Sequence, residues 1–177
     1  AQRIRSAGAF FTAEPARGRR YYGGKIIPNR GAWIEIETDA NHVIWVKVDR
    51  KRKVAATSLL RAFGMGNEAD ITAAFVDVNT HPNIDYVDAT LKKDLSASEE
   101  EGLIEVYKRI RPGDLATADN AKSLIHAMFF NFDRYDLGRV GVYKFNTKFN
   151  LGLTEKQFDD KTERVLSKEK LLAVLKE

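Results

Sequence analysis

Alternating apolar and charged positions predict a β-hairpin in the first third of the chain. Residues 34–37 read Ile-Glu-Ile-Glu, the strict alternation of a strand with one buried face. The turn-forming residues 39–41 follow, and residues 43–48 alternate again in part. We therefore expect two strands joined by a short polar turn within residues 25–48.

Apolar residues recur at helical spacing in the two segments that follow. In residues 54–64 they stand at i, i+3, i+4 and i+7, and Gly64 is placed to end the helix, which predicts a helix over this segment. The same spacing in residues 71–78 predicts a second short helix. Residues 79–95 are acidic and lack a regular period, so we expect an irregular connector there.

Capping signals mark the helices of the second half. Ser98 and Glu101 have the spacing of a capping box, and residues 112–113, Pro-Gly, end the helix that follows. Thr117 can cap the next helix, and Ser167 can cap a last helix that begins directly after it.

The segment 135–145 departs from this helical pattern. It carries Val140, Val142 and two glycines, which predicts a bent strand or an extended loop. Hairpins mixed with unconnected helices indicate an α+β fold, an irregular single lobe of mixed hairpins and short helices.

The composition describes a mildly basic chain that can bury a core. Its 177 residues are 44% hydrophobic and carry a formal charge of +4, with a pI near 9.2. No run approaches the roughly 18 apolar residues of a membrane span. Cysteine is absent, which excludes a disulfide framework and a thiolate zinc site and agrees with a cytoplasmic location. Ala rather than Met stands first, so we expect a piece of a longer chain.

Charge is segregated along the chain. Residues 1–60 carry a net charge of +7, residues 61–106 carry −7, residues 107–149 carry +4, and residues 150–177 are balanced. If the two basic blocks are neighbours in the fold, they form one positive face suited to phosphate. Solvated surface charge is the alternative for any single lysine.

No complete catalytic constellation is visible. The three histidines are isolated from one another and lack the spacing of metal ligands, and nucleophile-elbow and phosphate-loop patterns are missing. Asp119, Asp133 and Asp136 could together hold a cation, although carboxylates spread through a basic region more often pair with arginine.

Several cations and one aromatic residue suit nucleic acid. Residues 49–53 are all charged and are predicted to form a turn between a strand and a helix, where several cations can point into a groove. Trp33 begins the hairpin and could stack on an unpaired base. Arg111 and Arg134 are held by rigid local structure. The alternatives are a solvated loop, core packing for the tryptophan, and structural ion pairs for the two arginines.

Together these motifs resemble one family, the lobe of the β subunit of bacterial DNA-directed RNA polymerase. The similar segments occur in the family's order, and they are residues 5–11, 26–33, 48–53, 110–114, 129–141 and 144–146. Residues 129–141, FFNFDRYDLGRVG, are the most specific of them. The resemblance implies a lobe-like domain over residues 1–150 and a C-terminal helical extension of the same lobe over residues 151–177.

By this resemblance the chain is one jaw of the polymerase cleft and contacts downstream DNA and the non-template strand. The family's DNA-facing positions match eight residues of this chain: Arg5, Lys25, Trp33, Asp49, Arg50, Lys51, Arg111 and Arg134. Trp33 matches a tryptophan that stacks on an unpaired base, and Arg5 and Lys25 match basic positions near the non-template strand.

The resemblance also bears on cofactors and partners. It implies that nucleotidyl transfer belongs to the parent enzyme and that the β′ subunit binds the Mg²⁺, so no cofactor and no catalytic residue are expected in this chain. The expected partners are DNA, the α, β′ and ω subunits, a sigma factor and transcription regulators, without a membrane. The alternative is a protein-interaction module, in which the acidic residues 61–106 and exposed aromatics dock a transcription factor or inhibitor.

Overall fold

The first third of the chain builds a sheet. In the computed structural model, which describes residues 7–16 and 19–176, five antiparallel strands pair in chain order. The strands are β1 (Gly8–Ala16), β2 (Arg19–Ile27), β3 (Ile34–Thr38), β4 (Ile44–Val48) and β5 (Val54–Ala55). The predicted hairpin is confirmed as β3 and β4, and the long hairpin of β1 and β2 extends the sheet beyond it.

The two faces of the sheet differ in polarity. On one face Ile34 lies beside Ile26 of β2, and both are fully buried. One position along, Glu35 lies between Lys25 of β2 and Lys47 of β4, and all three keep some exposure to solvent. Because successive side chains point to opposite faces, the sheet has an apolar inner face and a charged outer face. Lys25 therefore belongs to the outer face.

Helices follow the sheet and cover its inner face, which confirms the predicted α+β class. In the described part of the chain they are α1 (Ala56–Ala62), α2 (Glu68–Ala74), α3 (Tyr86–Lys93), α4 (Glu99–Ile110), α5 (Ala118–Ile125), α6 (Gly138–Phe149), α7 (Lys161–Arg164) and α8 (Lys168–Lys176). A π-helical turn, His126–Phe130, continues α5, and a 3-10 turn, Glu155–Asp159, precedes α7. None of the helices described is long and apolar enough to cross a membrane.

Close packing of α1 on α4 centres on a glycine. A Cβ added at Gly102 of α4 would lie 2.7 Å from the Cβ of Arg61 and 2.9 Å from the carbonyl oxygen of Ser58, both on α1. Leu59, Leu60 and Val106 from the same two helices are buried in the core. The small residue therefore sets the distance between these helices.

Side-chain caps fix the ends of the predicted elements. In the turn between β3 and β4, Asp39 Oδ1 accepts hydrogen bonds from the backbone N–H groups of Asn41 and Val43, at 2.8 and 3.0 Å. The predicted helix caps, which each accept the backbone N–H three residues ahead, are confirmed at Ser98, Thr117 and Ser167.

The prediction of an extended segment over residues 135–145 is wrong. Most of this segment lies in α6, whose Val142 and Phe145 are buried together with the preceding Leu137. Two glycines and two valines lower the intrinsic helix propensity, but the buried residues of α6 stand at i, i+3, i+4 and i+7, which is one face of a helix: Gly138, Gly141, Val142 and Phe145. Tertiary packing therefore decides the conformation.

Two smaller boundaries also differ from prediction. The connector 79–95 contains helix α3, whose N-terminus is capped by Asp85. The helix expected over residues 54–64 begins only at Ala56, because Val54 and Ala55 pair with β4 as β5.

Candidate nucleic-acid interface

A tight turn after β4 presents the charged residues 49–53. Asp49 and Arg50 have φ of 53° and 59°, and the N–H of Lys51 donates to the carbonyl oxygen of Val48 at 3.0 Å. Positive φ at both central residues defines a type I′ turn. Left-handed backbone at residues other than glycine costs on the order of 1–3 kcal/mol each and is concentrated at functional sites. The predicted turn is confirmed, and residues 49–53 are exposed.

Trp33 lies directly beside this turn. The backbone N–H of Asp49 donates to the carbonyl oxygen of Trp33 at 2.9 Å, and the guanidinium carbon of Arg50 lies 5.4 Å from the centre of the Trp33 ring. This distance is that of a cation–π contact. Trp33 is half-buried at the surface, so it is not a core residue.

Lys25 lies on the same outer face as this pair. It stands opposite Glu35 on β3 and is half-buried, while Lys47 on β4 forms an ion pair with Glu37 at 3.7 Å. Trp33 precedes Ile34 and has the outward parity of Glu35. The outer face therefore carries Lys25, Trp33 and the turn at Arg50.

The two basic blocks of the sequence meet at the connection between β2 and β3. Arg30 and Asp136 exchange two backbone hydrogen bonds, at 3.0 and 2.8 Å, although they are more than a hundred residues apart. Gly31 is the next residue after Arg30, and a Cβ added to it would lie 3.0 Å from the carbonyl oxygen of Arg134. The connection that leads to Trp33 therefore contacts the loop that carries Arg134. The sequence left open whether the two basic blocks are neighbours, and at this connection they are.

Arg134 and Arg111 are exposed and make no ion pair with a residue that the structure describes. Arg134 lies beside Gly31. Arg111 follows the end of α4, where Arg109 Nε donates to the carbonyl oxygen of Lys53 at 3.3 Å and so joins the helix to the charged loop. Neither arginine takes the structural ion-pair role in the described part of the chain.

Three cations lie around the side chain of Phe132, and the sequence did not indicate this cluster. The side-chain charges of Arg30, Lys161 and Arg164 lie 5.3, 5.2 and 5.4 Å from the centre of this ring. Arg30 Nη2 also donates to the carbonyl oxygen of Phe132 at 2.5 Å. These contacts join residues far apart in sequence, so no local motif could have revealed them.

Asp136 is the acidic partner inside this basic region. Arg164 donates to both of its carboxylate oxygens at 2.8 Å, and the N–H of Gly138 donates to Oδ1 at 2.7 Å. Burial by itself would raise the pKa of Asp136, but these hydrogen bonds and the charges of Arg164 and Arg30 together hold it below its ordinary value. Pairing with arginine is therefore the role of this carboxylate.

The other candidate ligands do not converge. Among the described residues, no group of three or more His, Asp or Glu side chains could hold a metal ion. His81 Nδ1 accepts the backbone N–H groups of Asn83 and Ile84, each at 3.1 Å, and His126 packs edge-on against Phe130. Arg5, the remaining predicted site residue, lies outside the described residues.

Comparison with known proteins identifies the class to which this fold and surface belong. A family model described as RNA polymerase Rpb2, domain 2, matches residues 5–172 of the chain. The chain belongs to the RNA polymerase Rpb2 domain 2 family, and the resemblance to the lobe of the bacterial β subunit is confirmed.

The curated relatives are much longer than this chain. It is 42% identical over 173 residues to a DNA-directed RNA polymerase subunit beta of Trichodesmium erythraeum, covering 97% of this chain and 14% of the relative. It is 46% identical over 151 residues to the subunit beta of Clostridioides difficile, covering 85% of this chain and 12% of that protein. The chain thus spans about one seventh or less of the length of these relatives.

Proposed function

We propose that this chain forms one jaw of the DNA cleft of a bacterial RNA polymerase and contacts the downstream duplex and the non-template strand. The contact between Trp33 and Arg50 carries the proposal, because it places an aromatic platform beside exposed cations. Stacking platforms bordered by cations are the usual means of holding single-stranded nucleic acid.

The proposed role of each residue follows from the chemistry of its side chain. Trp33 stacks on an unpaired base with one face of its indole. The guanidinium of Arg50 lies over the other face and adds a cation–π contact to the stack. Lys51, Arg111 and Arg134 bind phosphates, because they are exposed and free of acidic partners in the described residues.

Two further residues support this arrangement. Lys25 adds positive charge on the outer face. Asp49 acts through its backbone N–H, which fixes the carbonyl of Trp33 and hence the position of the ring. Arg5 is proposed as an additional phosphate contact from the sequence match alone.

Catalysis is assigned to the parent enzyme. In this proposal the β′ subunit of the parent enzyme holds the Mg²⁺, and this chain contributes no catalytic residue. We propose that this chain positions DNA in the cytoplasmic polymerase formed with the α, β′ and ω subunits and a sigma factor. Its contribution to transcription is then to bind DNA beside the active centre.

Fluorescence anisotropy with fork-shaped and duplex DNA tests the proposal on the chain itself. We expect the fork to bind more tightly than the duplex and binding to weaken with salt. Trp33→Ala should lower the affinity for the fork roughly tenfold, since base stacking contributes about 1–3 kcal/mol, and should change duplex binding little. Tyr143→Ala, which removes an aromatic side chain 54% exposed on α6, is the matched control and should change neither.

Polymerase reconstituted with a full-length β subunit provides the second test. Charge reversal at Arg50, Lys51 and Arg134 should shorten the lifetime of the open complex and reduce its dependence on salt. An unchanged lifetime with an unchanged salt dependence would reject the proposed DNA contacts.

A further inference from the structure

A pocket opens on the inner side of the sheet, away from the charged outer face. Its volume is about 300 Å³, and it lies between the sheet, the segment from Phe75 to Val87, and the end of α8. The glycine pair at 23–24 helps to create it, because a Cβ on Gly24 would lie only 3.4 Å from the ring of Phe11, a residue of the pocket wall. A larger residue at that position would fill part of this space.

The lining is mostly apolar, and part of it is open to solvent. Phe75, Val87 and Val174 are buried in the wall, whereas Tyr22 and Val78 are 46% and 44% exposed. Large apolar side chains with this exposure at the mouth of an apolar pocket are typical of a binding site for a partner side chain.

The segment that forms one wall of this pocket is acidic, whereas the charged residue of the lining itself is Lys176. Residues 68–88, which we call the acidic surface, contain five carboxylates and neither lysine nor arginine, and all five are exposed: Glu68, Asp70, Asp77, Asp85 and Asp88. Two of them are partly neutralised from other elements, Asp77 by Lys176 at 3.0 Å and Asp88 by Lys92 at 2.8 Å. The remaining negative charge repels DNA and attracts basic groups.

We propose that the acidic surface and its pocket bind a basic segment of another protein, which inserts one aromatic or large aliphatic side chain into the pocket. This surface is distinct from the outer face and does not depend on the DNA contacts proposed above. The protein-interaction alternative that the sequence suggested thereby acquires a defined surface and a defined class of partner.

The size of the pocket fits such an anchor. A cavity of about 150 Å³ holds benzene, so about 300 Å³ accommodates an indole or a phenyl ring with adjoining main chain. Aromatic anchors in desolvated pockets supply most of the energy of many interfaces, and surrounding charges raise the rate of association and exclude wrong partners. A basic segment with one such anchor satisfies both features.

Selection of peptides from a random twelve-residue display library on this chain, run in parallel on Val78→Trp, tests the inference. Val78→Trp is designed to block the mouth of the pocket. We expect the enriched peptides to carry at least two Lys or Arg and one Trp, Phe or Leu. As synthetic peptides they should bind Val78→Trp at least about tenfold more weakly than the unchanged chain, by fluorescence anisotropy.

The charge requirement is tested by a matched pair of variants. Glu68→Gln with Asp70→Asn should weaken the same peptides about threefold at low salt, whereas Asp114→Asn with Asp133→Asn, which removes two carboxylate charges at exposed sites outside the acidic surface, should not. Circular dichroism of each variant verifies the fold, and Tyr22→Ala gives an independent alteration of the mouth. Peptides that lack basic residues or bind Val78→Trp equally well would overturn the inference, as would failure to enrich any peptide.

Discussion

At the scale of single residues, backbone geometry determines where the side chains of the candidate interface can stand. Gly31 has φ of +126°, and a Cβ there would lie 2.8 Å from Cδ2 of Tyr135. The glycine thus allows the connection before Trp33 to contact the loop that carries Arg134. Tyr135 is fully buried, so it has little room to move away.

Replacing Gly31 with alanine should therefore be costly. We expect Gly31→Ala to lower the free energy of unfolding by on the order of 3 kcal/mol, because backbone strain and crowding add. Gly113→Ala is the matched control: φ there is +92° but nothing lies within 4 Å of the added Cβ, so only the backbone cost of about 1–2 kcal/mol remains. Urea denaturation measures both, and equal losses would contradict the crowding at Gly31.

Asp136 links stability to pH. The pKa of its carboxyl group is lower in the folded chain than in the unfolded chain, so its contribution is present above the unfolded pKa of about 4 and is lost as pH falls through the folded value. Asp136→Asn should cost about 3 kcal/mol at pH 7 by leaving Arg164 without its partner. The difference from the unchanged chain should shrink below pH 4 in urea titrations, whereas Asp133→Asn should show little difference at any pH.

At the scale of elements, a buried polar network joins α1 to the segment between α3 and α4. The side chain of Asp94 is fully buried and accepts hydrogen bonds from Thr57 and Ser58 of α1, each at 2.5 Å, and from the N–H of Ser96 at 2.9 Å. Arg61 of α1 donates to the carbonyl oxygen of Ser96 and lies 3.6 Å from Asp94. The network holds the two segments in one register.

Removing Asp94 should be among the most damaging single changes. We expect Asp94→Ala to lower the free energy of unfolding by about 3–5 kcal/mol, because Arg61 is left buried without a counter-charge. Adding Arg61→Leu should restore part of the loss, since the unpaired charge is then removed. The corresponding change at the exposed Asp88 should have little effect. Thermal and urea unfolding give these values, and lack of any recovery in the double variant would contradict this explanation.

Elements with clear local signals could be predicted from the sequence, and those that depend on packing could not. The hairpin at β3 and the helix capped by Ser98 follow from alternation and capping. Helix α6 was missed because its glycines and valines favour other conformations. In the fold Gly141 has a packing role, since a Cβ added there would lie 3.4 Å from the Cβ of Ala7, directly before β1. The short helix α3 was missed because only Val87 and Thr90 of it are buried, too few positions to show a helical period.

The same division applies to the candidate interface. The charged turn and Trp33 could be found because they are contiguous in the sequence. The contact of Arg30 with Phe132 and the bridge to Asp136 could not, because they join residues more than a hundred positions apart. Sequence reasoning named the candidate residues, and only the fold shows which of them lie together.

At the scale of the whole molecule, charge is divided between two surfaces. The outer face and the loops beside it carry the basic residues that suit DNA, and the acidic surface carries none of them. A net charge of +4 hides this division. Because salt screens interactions beyond about 10 Å at moderate ionic strength, we expect each surface to act on its own proposed partner. DNA binding should therefore respond to cations on one surface only.

The salt dependence of DNA binding measures which cations meet phosphate. Each phosphate contact contributes about 0.9 for duplex and about 0.7 for single strands to the slope of log affinity against log salt. Lys51→Ala and Arg134→Ala should each reduce the slope for fork DNA by about this amount, and the double variant by about twice as much, since the two act independently. Lys92→Ala, which removes a lysine that pairs with the acidic surface, is the control and should leave the slope unchanged. If Lys51→Ala and Arg134→Ala lowered affinity without changing the slope, these residues would act through the structure of the loop, and phosphate contact by them would be excluded.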